Sequence, residues 1–122
     1  MGTWGSGNFD SDTAADHLSI LTARLMREIE DAMAGDPVEL EPDEYWGVAV
    51  PCNVEILCLL AGQPWVGVVL PAAETVEAWK ATFLAAWDAN IDGLEPTPEH
   101  KAARRAVLER TFDRLTEAIR AA

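Results

Sequence analysis

The sequence predicts an all-α fold, a compact bundle of about four helices in a single domain over residues 1–122, and three observations carry that prediction. Apolar side chains recur at spacings of three and four in several separate stretches, the period that aligns one face of an α-helix. Between the stretches stand Gly35, Pro37, Gly62, Pro64, Gly93, Pro96 and Pro98, which stop and start helices. Hydrophobic residues make up 49% of the 122, enough at this length to bury a core without disulfides or a structural metal.

The chain opens with Gly2, Gly5 and Gly7 alternating with Trp4 and Phe9. Gly5 and Gly7 allow sharp turns and the two rings supply area to bury, so the segment reads as an ordered clasp pinned into the core. The first helix is expected to begin near Ser11 or Asp12, where a capping side chain and the acids Asp12 and Asp16 suit the positive end of the helix dipole. Leu18, Leu21, Leu25, Ile29, Ala32 and Met33 form its stripe, and Gly35 with Asp36-Pro37 ends it.

A second helix is expected over about Asp43–Ala61, with Pro42, Asp43 and Glu44 as its first turn and Gly62 closing it. Its apolar residues point nearly all round, the mark of a central helix wrapped by the others. Pro51 leaves two readings: a kinked but continuous helix, or a short strand at 47–50 followed by a helix starting at Pro51. Residues 65–70, β-branched and bounded by Pro64 and Pro71, read as an extended segment on the core rather than a strand, since no second strand offers to pair. The third helix opens at Ala72-Ala73-Glu74, carries the row Val76, Trp79, Phe83, Trp87 and Ile91, and stops at Gly93. Thr97-Pro98-Glu99 caps a fourth, with Ala103, Val107, Leu108, Phe112, Leu115 and Ile119 on one face.

The run from Met1 to Asp16 spells M-G-x-W-x-x-G-x-F-D-x-D-x-A-x-D. In this it resembles a family of small bacterial proteins called domain of unknown function 4259, with a looser similarity over residues 43–61, from which Pro51 departs. The resemblance implies an all-α, cytoplasmic, bacterial protein. It brings no activity and no site residues, because the family has none assigned.

Charge narrows the function classes. Asp and Glu outnumber Lys and Arg by 21 to 9, and a net charge of −12 repels phosphate backbones and anionic headgroups. Nucleic acid and membrane are therefore not expected as partners, and a basic protein is. Cys52 and Cys58, set among apolar residues and six positions apart, read as two buried, unreactive thiols suited to a reducing cytoplasm. His17 and His100 lack a second ligand at helical spacing, and no nucleophile elbow or phosphate-binding loop occurs.

Two constellations remain. Asp88, Asn90, Asp92 and Glu99 fit the calcium-loop pattern D-x-[DN]-x-[DN]-G-x5-E, although a third helix continuing through Ile91 would carry Asp88 and Asp92 up one helical face. Asp10, Asp12, Asp16, Asp43 and Glu44 form the expected acidic interaction surface. Five arginines on the fourth helix (Arg104, Arg105, Arg110, Arg114 and Arg120) offer either complementarity to the first helix or a route to homo-oligomers. Glu55, the one charge within residues 47–62, calls for a partner such as Arg24 or Arg27, or for the surface. The leading expectation is a non-catalytic protein-interaction module without a cofactor. A calcium- or metal-binding helix-loop-helix module is the alternative, and an enzyme ranks last for want of a catalytic constellation.

Overall fold

Four helices follow one another in the computed structural model, which describes residues 2–122. They are α1 (Asp12–Ala32), α2 (Tyr45–Ala61), α3 (Ala73–Asn90), which runs into a 3-10 turn (Ile91–Leu94), and α4 (Pro98–Ala121). Among the described residues the only β pairing is an isolated antiparallel bridge between Thr3 and Ser11. Each predicted helix is present. None of them is long and apolar enough to cross a membrane.

The core forms where α3 and α4 pack on each other and α2 packs on both α4 and α1. Val76, Trp79, Phe83, Trp87 and Ile91, the row read from the sequence, are all buried, and Phe83 meets Phe112 of α4 at 5.6 Å between ring centroids. Leu108 and Leu115 of α4, Val50, Val54 and Leu57 of α2, and Leu25 and Ile29 of α1 complete the cluster. Burying each such side chain is worth about 1.5–3 kcal/mol, which makes this cluster the main source of stability. Ala103 and Val107, expected on the buried face of α4, are exposed, while Thr111 and Thr116 lie inside. For Thr111 the hydroxyl makes this cheap. The Thr111 Oγ1 donates to the Val107 carbonyl at 2.8 Å, satisfying itself within the helix.

α2 settles the Pro51 question in favour of a continuous helix. Pro51 is buried within it, and no strand forms at 47–50. The helix starts at Tyr45, two residues later than expected, with Pro42, Asp43 and Glu44 in the turn before it. Gly47 is required by contact rather than by torsion: a Cβ there would lie 1.9 Å from the Glu41 carbonyl oxygen. The expectation that α2 is wrapped on every side is not met. Tyr45, Val48, Ile56 and Leu59 stand exposed on its outer face, because α1 and α4 cover only two of its flanks.

The N-terminal segment is ordered by hydrogen bonds more than by burial. The Trp4 backbone N–H donates to the Asp10 carbonyl at 2.8 Å, the Asp12 N–H donates to the Gly2 carbonyl, and the Gly7 N–H donates to Asp10 Oδ2 at 2.9 Å. A Cβ at Gly5 or Gly7 would collide with that Asp10 carboxylate. Trp4 is not in the core: it is 48% exposed, its indole Nε1 donating to Asp12 Oδ1 at 3.0 Å. Phe9 is the anchor, half-buried and stacked on Trp65 at 3.9 Å between centroids.

Trp65 begins the segment 65–70, which pairs with no strand but is not extended throughout as expected, because Val66 and Gly67 form a turn. It lies along α1, whose hydroxyls hold it: Ser19 Oγ donates to the Gly67 carbonyl at 2.8 Å, and the Val69 N–H donates to the buried Thr22 Oγ1. Gly67 has φ 102°, and a Cβ on it would meet the Ala15 carbonyl oxygen at 2.2 Å. The end of α3 also differs from expectation. Gly93 does not adopt a left-handed conformation; Glu95 does, at φ 53°, after the 3-10 turn.

Two stability measurements follow. Phe9→Ala is expected to cost about 2 kcal/mol and Trp4→Ala about 1 kcal/mol or less, reversing the order that ring size alone suggests. Urea denaturation of both variants checks it. Gly47→Ala is expected to lower stability by about 3 kcal/mol or more, because helix or loop backbone has to move to admit the methyl group.

Candidate functional site

Electrostatics divide the molecule in two. Among the described residues every ion pair but one joins residues of α3, the 3-10 turn and α4: Lys80–Asp113, Lys101–Asp92, Arg105–Asp88, Arg105–Glu109 and Arg120–Glu77. Of the five arginines of α4, Arg105 and Arg120 thus pair with α3 and with their own helix, not with α1. Arg105 grips Asp88 with both ends of its guanidinium, Nε to Oδ1 and Nη2 to Oδ2, each at 2.9 Å. That contact, chiefly its hydrogen bonds, holds the Asp88 carboxyl below the usual range.

The same pairs determine what becomes of the calcium-loop residues. Asp88 and Asn90 lie in the last turn of α3, and Asn90 Nδ2 donates to the carbonyls of Leu40 and Ala86. Asp92 is held by Lys101 at 2.7 Å, and Glu99 is exposed in the first turn of α4. Residues 88–94 are helical, so their oxygens follow the helix surface rather than surrounding one point. Among the described residues no three His, Cys, Asp or Glu side chains gather in a metal-binding group.

Over residues 10–44 the balance is opposite. Of eleven acids there, Glu28 alone has a cation among the described residues, Arg24, at 3.7 Å. The expected acidic surface separates into two ends, because α1, at about 1.5 Å per residue, sets them roughly 30 Å apart. At the first end the acids serve the fold: Ser11 Oγ caps α1 by accepting from the Ala14 N–H, Asp10 accepts from Gly7, and Asp12 from Trp4. Asp16 is exposed beside them.

At the other end Glu28 has such a task, accepting from Asn53 Nδ2 at 3.4 Å, and Glu30 and Asp31 have none. The last turn of α1 contains Glu30 and Asp31 and no base, so these charges stand against the negative end of the helix dipole. Here α1, the 33–44 loop and the start of α2 enclose a cleft of about 320 Å³ lined by Glu28, Asp31, Ala32, Glu39 and Trp46. Trp46 is exposed and braced edge-on by Tyr45 at 4.9 Å. Glu41 and Glu44 border an adjoining cleft with Asn90, and Asp43 is exposed between them. The loop is held from below by buried Leu40, whose carbonyl accepts from Asn90.

Of the predicted surface, then, only Asp43 and Glu44 belong to this region. Glu39 and Glu41 come from the same acid-rich stretch, residues 36–44, and Glu28, Asp31 and Trp46 complete it unforeseen, although the i, i+3 spacing of Glu28 and Asp31 already placed those two on one face. Cys52, expected to be buried, is exposed on α2. Cys58 is half-buried, and desolvation raises its thiol above the ordinary value. Glu55 is exposed in a groove with Cys58, Leu59, Thr111 and Arg114, and has neither Arg24 nor Arg27 as its partner. No protein-family model, curated protein or solved structure matches the chain.

The Asp88–Arg105 pair sets a pH dependence. Asp88 titrates lower when folded than when unfolded, so its contribution is complete above the ordinary Asp range and is lost as pH falls through the lowered value. Arg105→Gln is expected to lower stability at pH 6 and to narrow its difference from the unaltered chain by pH 2–3. Urea denaturation across pH 2–7 measures this.

Proposed function

We propose that this protein is a non-catalytic interaction module that receives a basic segment of another protein at the cleft between α1, the 33–44 loop and α2. One observation supports this above the rest: carboxylates gather at the C-terminal end of α1, where the dipole opposes them and the last turn holds no base, Glu28 alone being paired, with Arg24 one turn back. A guanidinium or ammonium from a partner would relieve that repulsion. Glu28, Asp31 and Glu39 supply the acceptors, and the exposed face of Trp46 supplies a cation–π surface. The net charge of −12 speaks for the same kind of partner, and against nucleic acid or an acidic membrane. The resemblance of residues 1–16 to the domain of unknown function 4259 family is carried forward as a proposal of membership, with a cytoplasmic site of action.

The test pairs binding with stability. An arginine-rich peptide is expected to shift the NMR signal of the Trp46 indole Nε1–H and to bind less tightly as salt shortens the Debye length from about 10 Å at 0.1 M. A glutamate-rich peptide is expected to leave the signal unmoved. Asp31→Lys is expected to weaken the arginine-rich peptide while stabilising the free protein by roughly 0.3–1 kcal/mol, since it places a cation at the negative end of the dipole. If Asp31→Lys destabilises the protein, or the Trp46 signal ignores the basic peptide, the reading fails.

A further inference from the structure

The outer face of α2 is apolar and uncovered. Tyr45, Val48, Cys52, Ile56 and Leu59 are all exposed along it, Tyr45 to 74% and Leu59 to 64%. At 100° per residue they fall within an arc of about 80°. Trp46 points roughly a third of a turn away, toward the acidic cleft, so this face is independent of the surface proposed above.

The order of these residues has a symmetry. Counted from Cys52, Tyr45 and Leu59 stand seven positions away on either side, and Val48 and Ile56 four. The stripe therefore reads the same in both directions along the helix. An antiparallel copy, related by a two-fold axis through Cys52, sets Tyr45 against Leu59, Val48 against Ile56, and Cys52 against itself. That is the reciprocal pairing an isologous interface requires. Glu55, the only charge on the helix, lies to one side in the groove beside Arg114 and stays at the rim.

The surface area points the same way. The chain exposes 7409 Å², whereas a monomeric protein of 13.3 kDa exposes roughly 6,450 Å². The excess, roughly 950 Å², is close to the 800 Å² or so that each partner covers in an interface of standard size. We infer that the protein forms a two-fold dimer in which α2 packs antiparallel on α2 of a second copy, with Cys52 on the axis.

Sedimentation equilibrium of the full chain in reducing buffer is expected to give twice the chain mass. Ile56→Asp and Leu59→Glu should each weaken the dimer on the order of 100-fold while leaving the helical circular dichroism unchanged. Rising salt should tighten it by screening the repulsion between two acidic chains, opposite to its effect on a basic partner. Helices packed at about 8–10 Å bring facing Cα atoms to about 3.5–5.5 Å, overlapping the disulfide range. Diamide, taking two electrons and two protons from the two Cys52 thiols, should therefore join them in an S–S bond; Cys52→Ser abolishes that bond and Cys58→Ser keeps it. A monomer at about 100 μM, a dimer indifferent to Ile56→Asp or loosened by salt, or a cross-link through Cys58 would overturn the inference.

Discussion

The seam between α3 and α4 is the constraint from which the other features follow. Five large side chains on α3, from Val76 to Ile91, need cover along the whole helix, and Leu108, Phe112 and Leu115 of α4 provide it. Holding the two helices side by side brings Arg105, Lys101 and Arg120 within reach of Asp88, Asp92 and Glu77. Lys80, Lys101, Arg105 and Arg120, four of the chain's nine bases, are paired there. With 21 acids to 9 bases overall, α1 and the loop after it retain their charge. The same seam leaves α2 with neighbours on two flanks and an outer face with none.

Helical periodicity made the fold legible because it records burial directly. The row from Val76 to Ile91 and the α1 residues Leu18, Leu25 and Ile29 are buried as their spacing implies. Composition misled where it stood in for position. α2 is apolar on nearly every side, which suits a wrapped helix, yet hydrophobicity alone does not reveal how many neighbours a helix has. Trp4 is large and apolar, but its indole N–H found Asp12 at the surface and the smaller Phe9 took the contact with Trp65.

The site was less legible than the fold. An acidic cluster at a helix start and another at its end look alike in sequence, and only the first has orphan N–H groups to satisfy. Ser11 meets that need in α1, while Asp10 and Asp12 accept from Gly7 and Trp4 of the N-terminal segment; Glu30 and Asp31 meet none. Calcium-loop spacing was similarly ambiguous: Asp88, Asn90 and Asp92 fit a loop as text, but α3 holds the first two and the 3-10 turn that continues it holds Asp92, because Trp87 and Ile91 are buried on the other side.

Gly47 decides more than the packing of one loop. With the Glu41 carbonyl seated where a side chain would otherwise stand, the start of α2 and the loop beneath it fit as one block. Trp46 and the carboxylates of Glu39, Glu41 and Glu44 are thereby fixed to a common frame. A basic segment received at that frame, as proposed, would meet backbone that is already ordered, so less of its binding energy would go into ordering the receptor. A missing methyl group on one helix thus becomes preorganisation at a surface formed by its neighbours.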